Sequence, residues 1–136
     1  MEKRDIQDRE DIAQLLASFY EKMLKDELMK PIFIDLANID LNKHLPILCD
    51  FWENVLFQSG NYQRNAMKFH LEIHLQHPLE EKHFGRWLSH FEETLQESFE
   101  GPKARQALER AHSIAGIMQL RIQRLDEQGR KYEAGS

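Results

Sequence analysis

The residues best able to do chemistry in this 136-residue chain are its seven histidines. His70 is the most unusual of them, because in the stretch NAMKFHLEIH it follows Met67 and Phe69 on the apolar side of a short segment. An imidazole in such a setting can bind a metal ion or the iron of a cofactor, or it can be a core residue with a hydrogen-bond partner. Which of these roles of His70 is best supported depends on the other candidate ligands in the chain.

Two Glu-x-x-His pairs, Glu80 with His83 and Glu109 with His112, have the spacing found in carboxylate-bridged di-iron bundles. Such a site also needs two further glutamates that point inward, and the predicted core faces offer none. Glu109 and His112 lie off the apolar stripe of their helix, and Glu80 falls in an acidic first helical turn. We therefore interpret both pairs as surface or helix-capping residues.

A zinc site and a reactive cysteine are the other chemical alternatives. His70, His74 and His77 have a spacing that zinc could use, but no fourth ligand is evident. Cys49 falls in an apolar helical segment, which is typical of an inert core thiol. Glycine-rich phosphate loops and serine nucleophile motifs are absent from the sequence.

Haem binding is a further alternative. A proximal histidine needs a mostly apolar pocket and a short segment that presents its ring nitrogen to iron. His70 meets both requirements, and His44 is a candidate on the other face. Aromatic side chains could wall a flat macrocycle or could simply fill a helical core, and periodicity does not decide between the two. The aromatic residues concerned are Phe19, Tyr20, Phe33, Phe51, Trp52, Phe84, Trp87 and Phe91.

The spacing of apolar residues predicts an all-α chain with four substantial helices and one short one. The first helix covers about residues 8–26, with Asp8 as its cap, and Pro31 forces a break after it. Residues 31–42 show no helical register and are predicted to form a turn-rich connection. The second helix tolerates Pro46 because this proline is expected in its first turn.

Two more long helices follow the short segment that carries His70. Pro78 is expected to open the first of them, and the Gly101–Pro102 pair to end it. The apolar face of this third helix comprises Phe84, Trp87, Leu88, Phe91, Leu95 and Phe99. The apolar face of the last helix comprises Leu108, Ala111, Ala115, Met118, Ile122 and Leu125.

Length and composition indicate one globular domain, with 41% hydrophobic and 30% charged residues. We expect this domain to cover residues 1–136, with a core from about 8 to 125 and flexible ends at 1–7 and 130–136. The net charge of −5 argues against nucleic-acid binding. No stretch is apolar enough for a signal peptide or a membrane span, and a single cysteine fits a reducing compartment. A cytoplasmic protein with no membrane or nucleic-acid partner is therefore expected.

Six motifs then occur in an order that is typical of a known family. They are FYEKM at 19–23, PIF at 31–33, His44 followed by FW at 51–52, MKFH at 67–70, HFGRWLSHF at 83–91 and ERAHSIAGIM at 109–118. From about residue 8 to 125, the chain resembles the truncated haemoglobins, specifically group III. This resemblance implies a two-over-two helical sandwich around a non-covalently bound haem b.

The resemblance also implies roles for individual residues. His70 falls at the proximal iron ligand, Tyr20 and Trp87 at hydrogen-bond donors on the distal side, and His44 at the distal entrance. The residues that fall at porphyrin contacts are Phe33, Leu48, Phe51, Trp52, Met67, Phe84 and Met118. His74 and Cys49 match no functional position of the family.

The implied function is the binding of oxygen and other diatomic gases, such as carbon monoxide and nitric oxide, at the haem iron. A reaction with nitric oxide or peroxide would make the protein an enzyme and would need an unidentified reductase, so catalysis stays open. The alternative is a non-catalytic ligand sensor, or an electron carrier in which His44 is the sixth iron ligand. Oxygen storage or transport is less favoured if the distal donors hold oxygen tightly.

Overall fold

The computed structural model of the chain describes residues 3–35, 41–60 and 79–134, and the side chains of residues 3–32, 45–60 and 79–128. These residues form five α-helices and no strand. The helices are α1 (Arg9–Lys25), α2 (Lys30–Asp35), α3 (Leu41–Phe57), α4 (Glu81–Ser98) and α5 (Pro102–Ala134). The all-α prediction is therefore confirmed. No helix within the described ranges is long and apolar enough to cross a membrane.

The helices pack as two pairs, α1 with α3 and α4 with α5, and α1 also packs against α4 across the two layers. Phe19 and Phe91 meet at the centre of this arrangement and are 1% and 0% exposed. The buried face of α5 is rich in small residues, which let the other helices approach it closely. These small residues are Ala104, Ala107, Ala111 and Ala115.

Helix α1 begins where the sequence predicts. The backbone N–H of Asp11 donates to the Asp8 carboxylate at 3.1 Å, so Asp8 is the N-cap. Arg9 joins α1 to α3, because its guanidinium lies 2.7 Å from the Asp50 carboxylate and donates to the carbonyl of Pro46 at 3.1 Å. Hydrogen bonding to Asp50 raises the pKa of Arg9, in keeping with a paired charge.

Two expectations about prolines need correction. Residues 31–35, expected to belong to a turn-rich connection, lie in α2, and Pro31 is in its first turn, where no backbone N–H is needed. Helix α3 begins at Leu41, so Pro46 lies beyond its first turn rather than within it. The helix continues past this proline although one carbonyl loses its partner, because α3 is held against α1 along its length.

Residues 3–7 are ordered against the α4–α5 turn, whereas we expected residues 1–7 to be a flexible end. Ile6 is 2% exposed. The Asp5 carboxylate accepts the backbone N–H groups of Lys103 and Ala104, both at 2.9 Å, and so caps the amino end of α5. The N–H of Glu100 donates to the carbonyl of Arg4 at 3.0 Å. The folded core therefore begins before residue 8.

Gly101 is required by this capping arrangement. Its φ is +147°, and a Cβ at this position would lie 2.5 Å from Cγ of Asp5. We expect Gly101→Ala to lower the free energy of unfolding by about 2–4 kcal/mol, since both backbone strain and the lost cap contribute. Urea denaturation followed by circular dichroism measures this change.

Gly116→Ala is the matched control, because Gly116 lies within α5 and a Cβ added there would meet no heavy atom within 4 Å. This substitution should stabilise the protein slightly, by about 0.5–1 kcal/mol, since alanine has the better helix propensity. Equal unfolding midpoints for the two variants would contradict the role assigned to Gly101.

Candidate functional site

Two residues expected on the distal side, Tyr20 on α1 and Trp87 on α4, both contact the ring of Phe19. The Phe19 ring centroid is 5.3 Å from that of Tyr20 and 5.8 Å from that of Trp87, and both contacts are edge-to-face. Tyr20 is 8% exposed, and Trp87 is partly buried. The fold therefore brings these two residues to a single interface between α1 and α4.

The orientation of Trp87 is set by an aromatic stack. Phe91, one turn further along α4, is stacked between two tryptophans, with centroid distances of 5.7 Å to Trp87 and 5.1 Å to Trp52. Aromatic pairs of this kind contribute about 0.5–1.5 kcal/mol each beyond the area that they bury. Trp52 is 4% exposed and belongs to the core, whereas Trp87 keeps part of its surface accessible.

The other residues expected in the site fall into three groups. Leu48 and Phe51 on α3 are partly buried against the core, and Phe84 and Met118, on α4 and α5, are 8% and 6% exposed. The remaining expected residues lack a side-chain description: Phe33 and His44 have only their backbones described, in α2 and α3, and Met67 and His70 lie outside the described residues.

Burial controls the ionisation of Tyr20. The loss of solvent around its hydroxyl raises the pKa of Tyr20 well above its ordinary value. The phenol therefore keeps its proton at neutral pH and can act as a hydrogen-bond donor. Trp87 offers a second donor, since its indole N–H has no hydrogen-bond partner among the described residues.

Comparisons with known proteins agree with this geometry. The model of the bacterial-like globin family matches residues 5–120. This chain belongs to the bacterial-like globin family. Proteins of the truncated globin type typically bind haem and diatomic gases.

The globin is similar to proteins of Campylobacter jejuni in both sequence and structure. It is 32% identical over 114 residues to a group 3 truncated haemoglobin of that organism, a match that covers 82% of this chain and 87% of the relative. It superposes on a crystal structure of group III truncated haemoglobin from the same organism with a TM-score of 0.78 and 30% identity, covering 89% and 95% of the two chains. The predicted family and the two-over-two fold are therefore confirmed.

The described part of the globin fits a flat and largely apolar group such as haem. A porphyrin is bound mainly through apolar contacts, with a few polar groups close to the iron. Leu48 and Phe51 offer partly exposed apolar surface on α3, and Trp87 offers it on α4. The Tyr20 hydroxyl and the Trp87 indole N–H are polar groups of the kind that such a pocket needs.

The di-iron alternative gains no support from the globin's described residues, whereas His70, His74 and His77 of the zinc alternative lie outside those residues. His83 is 5% exposed, and its Nδ1 accepts the backbone N–H of Glu80 at 2.9 Å, so this pair caps α4 as interpreted from the sequence. Glu109 and His112 are exposed on α5. No group of three or more potential metal ligands is found within residues 3–35, 41–60 and 79–134.

Cys49 is a free thiol that is 4% exposed in α3. Burial raises the pKa of this thiol, which disfavours the reactive thiolate form. The interpretation of Cys49 as a core residue is thus supported.

One polar pair that joins the end of α1 to α4 was not singled out from the sequence. Asp26 follows the last residue of α1, and its Oδ2 lies 2.6 Å from Nε2 of His90 on α4. The two residues are 64 positions apart, so no local spacing links them. The sequence contained only a weak indication of a role for His90, which lies on the same helix as Trp87 and only one turn away.

Proposed function

We propose that this globin binds haem b non-covalently, with His70 as the protein ligand to iron. We further propose that it binds oxygen, carbon monoxide and nitric oxide in a distal pocket bordered by Tyr20, His44 and Trp87. The observation that supports this proposal is that two side chains able to donate hydrogen bonds, Tyr20 and Trp87, both contact the Phe19 ring in a chain of a haem-binding family.

Cofactor and side chains would have distinct roles in this pocket. When bound, haem supplies the iron that coordinates the diatomic ligand and exchanges electrons. Tyr20 and Trp87 would donate hydrogen bonds to the partly negative oxygen ligand and slow its release. The residues proposed to hold the porphyrin and exclude water from it are Phe33, Leu48, Phe51, Trp52, Met67, Phe84 and Met118.

Absorption spectroscopy tests the haem proposal directly. The protein, purified or reconstituted with haemin, should show a strong Soret band, and the band should shift when carbon monoxide is added to the reduced protein. A protein that takes up no haemin at a one-to-one ratio would contradict the proposal.

His44 is proposed to gate the distal pocket. Its backbone lies near the start of α3, one turn before Leu48, which is partly buried against the core. We expect His44→Leu to accelerate carbon monoxide association, measured by flash photolysis, because the leucine cannot hydrogen-bond across the entrance. His112→Leu, on the exposed side of α5, is the matched control and should leave the rate unchanged.

The His44 variant also distinguishes a gating role of His44 from iron coordination by His44 in an electron carrier. A six-coordinate, low-spin ferrous spectrum in the wild type that disappears in His44→Leu would favour iron coordination by His44. Unchanged association rates together with an unchanged spectrum would contradict both roles.

We also propose a catalytic role in the cytoplasm, where the unpaired Cys49 stays reduced. The tightly held oxygen would serve to oxidise nitric oxide, whereas the removal of peroxide would need haem that holds no oxygen. Each turnover would consume electrons, so this role needs a reductase partner. Nitric oxide consumption by cell extract, with and without the purified globin, measures it. Equal consumption rates would favour the ligand sensor instead.

A further inference from the structure

Among the described residues, the link between Asp26 and His90 is the most buried polar side-chain contact between the end of α1 and α4. Oδ2 of Asp26 and Nε2 of His90 are 2.6 Å apart, and the two side chains are 7% and 17% exposed. Asp26 lies directly after α1, the helix of Tyr20, and His90 lies one turn beyond Trp87 on α4. The contact therefore joins the two helices that carry the proposed distal donors.

Asp26 is held rigidly at the corner between α1 and α2. Its Oδ1 accepts the N–H of Leu28 at 2.9 Å, and its carbonyl accepts the N–H groups of Met29 and Lys30 at 3.1 and 2.7 Å. Burial raises the pKa of Asp26, but the hydrogen bonds from His90 and Leu28 and the nearby charge of Arg86 outweigh it and lower the pKa. The carboxylate is therefore ionised at neutral pH and is a strong acceptor.

Other charged groups surround the pair in a groove of about 780 Å³. Arg86 on α4 lies 3.5 Å from Oδ2 of Asp26, but its side chain is 50% exposed. Lys22 on α1 is bound to Glu97 and lies 3.3 Å from Glu93, and both glutamates are more than half exposed. The other charged residues of the groove are Lys25 and Glu27.

These contacts differ in how well they can fix the spacing of α1 and α4, because they differ in exposure. Exposed ion pairs are screened by water and stabilise a protein by little. Removing one partner of a buried pair leaves the other group without a partner, and the surrounding elements move to solvate it. The Asp26–His90 contact is therefore better suited than the Lys22 pairs to fix the separation of α1 and α4.

We propose that Asp26 and His90 form a positioning pair that sets the distance between the Tyr20 hydroxyl and the Trp87 indole N–H. This inference rests on the proposed function, because it assumes that both donors act on the same ligand. The strength of a hydrogen bond depends steeply on distance and angle, so a small shift of α4 against α1 changes how well both donors reach the ligand. Neither residue touches the ligand itself.

The test compares two substitutions of His90 in the haem-loaded protein. His90→Leu fills a similar space without a donor, and we expect oxygen dissociation to accelerate roughly three- to tenfold while carbon monoxide dissociation changes by less than about twofold. His90→Gln keeps a nitrogen donor at a similar distance along the side chain and should restore the rate to within about twofold of the wild type. Asp26→Asn is a second variant, expected to accelerate oxygen release like His90→Leu.

Lys22→Leu is the matched control, since it removes ionic contacts between the same two helices at a more exposed position. It should leave the oxygen dissociation rate within about twofold of the wild type. If it accelerates release as much as His90→Leu does, any α1–α4 contact suffices and the positioning role is overturned.

A second measurement does not depend on ligand release. The protein contains two tryptophans, so a ¹⁵N spectrum of the carbon monoxide complex contains two indole N–H signals, which Trp87→Phe assigns. We expect the Trp87 signal to shift in His90→Leu and to stay in place in His90→Gln and Lys22→Leu. An unmoved Trp87 signal in His90→Leu would overturn the inference.

Failure of this inference can be told apart from failure of the proposed function. If Tyr20→Phe accelerates oxygen release while His90→Leu and Asp26→Asn do not, the donors act as proposed and the positioning role alone is wrong. If Tyr20→Phe itself has no effect on oxygen release, the proposed distal pocket is wrong, and the positioning role is overturned with it.

Discussion

Replacing His70 by alanine is expected to leave the purified globin with little or no haem. The proposed pocket holds the porphyrin by apolar contacts, and His70 is the one protein group proposed to coordinate the iron. Its removal should lower haem occupancy at least roughly tenfold, since the coordinate bond is lost outright. The ratio of haem to protein, measured as the pyridine complex of the extracted haem, gives the occupancy.

Two controls make this result specific to the imidazole. Adding free imidazole to His70→Ala should restore both haem binding and the Soret band, because the small molecule can occupy the space left by the side chain. His74→Ala, four residues further along, should bind haem normally, since His74 matches no functional position of the family. Full haem occupancy and an unchanged spectrum in His70→Ala would refute the assignment, and loss of haem in both variants would make a shared site of several histidines the better explanation.

The helices could be predicted from the sequence wherever a helix is long enough to show its period. The 17 residues of α1 repeat their apolar positions several times, and the cap at Asp8 is a local signal as well. Helix α2 has six residues, which is too short for any periodicity to appear. Its position depends on the corner at Asp26, whose carbonyl accepts two backbone N–H groups.

The start of α3 shows a different limit of sequence reasoning. Proline is favoured in the first turn of a helix, and Pro46 was therefore predicted to lie in the first turn of α3. The helix begins earlier because α3 packs along α1, where Arg9 reaches Asp50 and the carbonyl of Pro46. Tertiary packing therefore overrides a local preference at this point.

The candidate site could be proposed from the resemblance and not from residue spacing. Tyr20 and Trp87 were placed on the distal side because their motifs match a family, and the structure adds that Phe19 connects them. The Asp26–His90 pair could not be predicted in this way, because its partners are 64 residues apart. The cap that Asp5 provides for α5 is similar, since Lys103 lies 98 residues away. Contacts of this kind depend on the completed fold.

The second large effect is expected at Tyr20 and Trp87, which together should set the lifetime of the oxygen complex. Each residue offers one donor, and the oxygen ligand carries partial negative charge. A hydrogen bond to a charged group contributes about 1.5–3 kcal/mol, which corresponds to roughly ten- to a hundredfold in a dissociation rate. Tyr20→Phe and Trp87→Phe should therefore each accelerate oxygen release, as measured by stopped-flow spectroscopy.

The two substitutions differ in what else they remove. Tyr20→Phe keeps the ring that lies 5.3 Å from Phe19, so the packing of α1 should be preserved and only the hydroxyl is lost. Trp87→Phe also removes volume and part of the stack on Phe91, where the rings are 5.7 Å apart. Carbon monoxide is the control for this packing change, because it is a much weaker hydrogen-bond acceptor and its release should change far less than that of oxygen.

The double variant shows whether the two donors act on the same ligand atom. Two donors that share one acceptor are coupled, so the effects of the single substitutions should not simply add. We expect the double variant to release oxygen faster than either single variant, but by less than the product of the two separate accelerations. If oxygen leaves the wild type, both single variants and the double variant at the same rate, neither donor faces the ligand. The pocket would then have to lie elsewhere on the α1–α4 interface, with Tyr20 and Trp87 acting only as core residues.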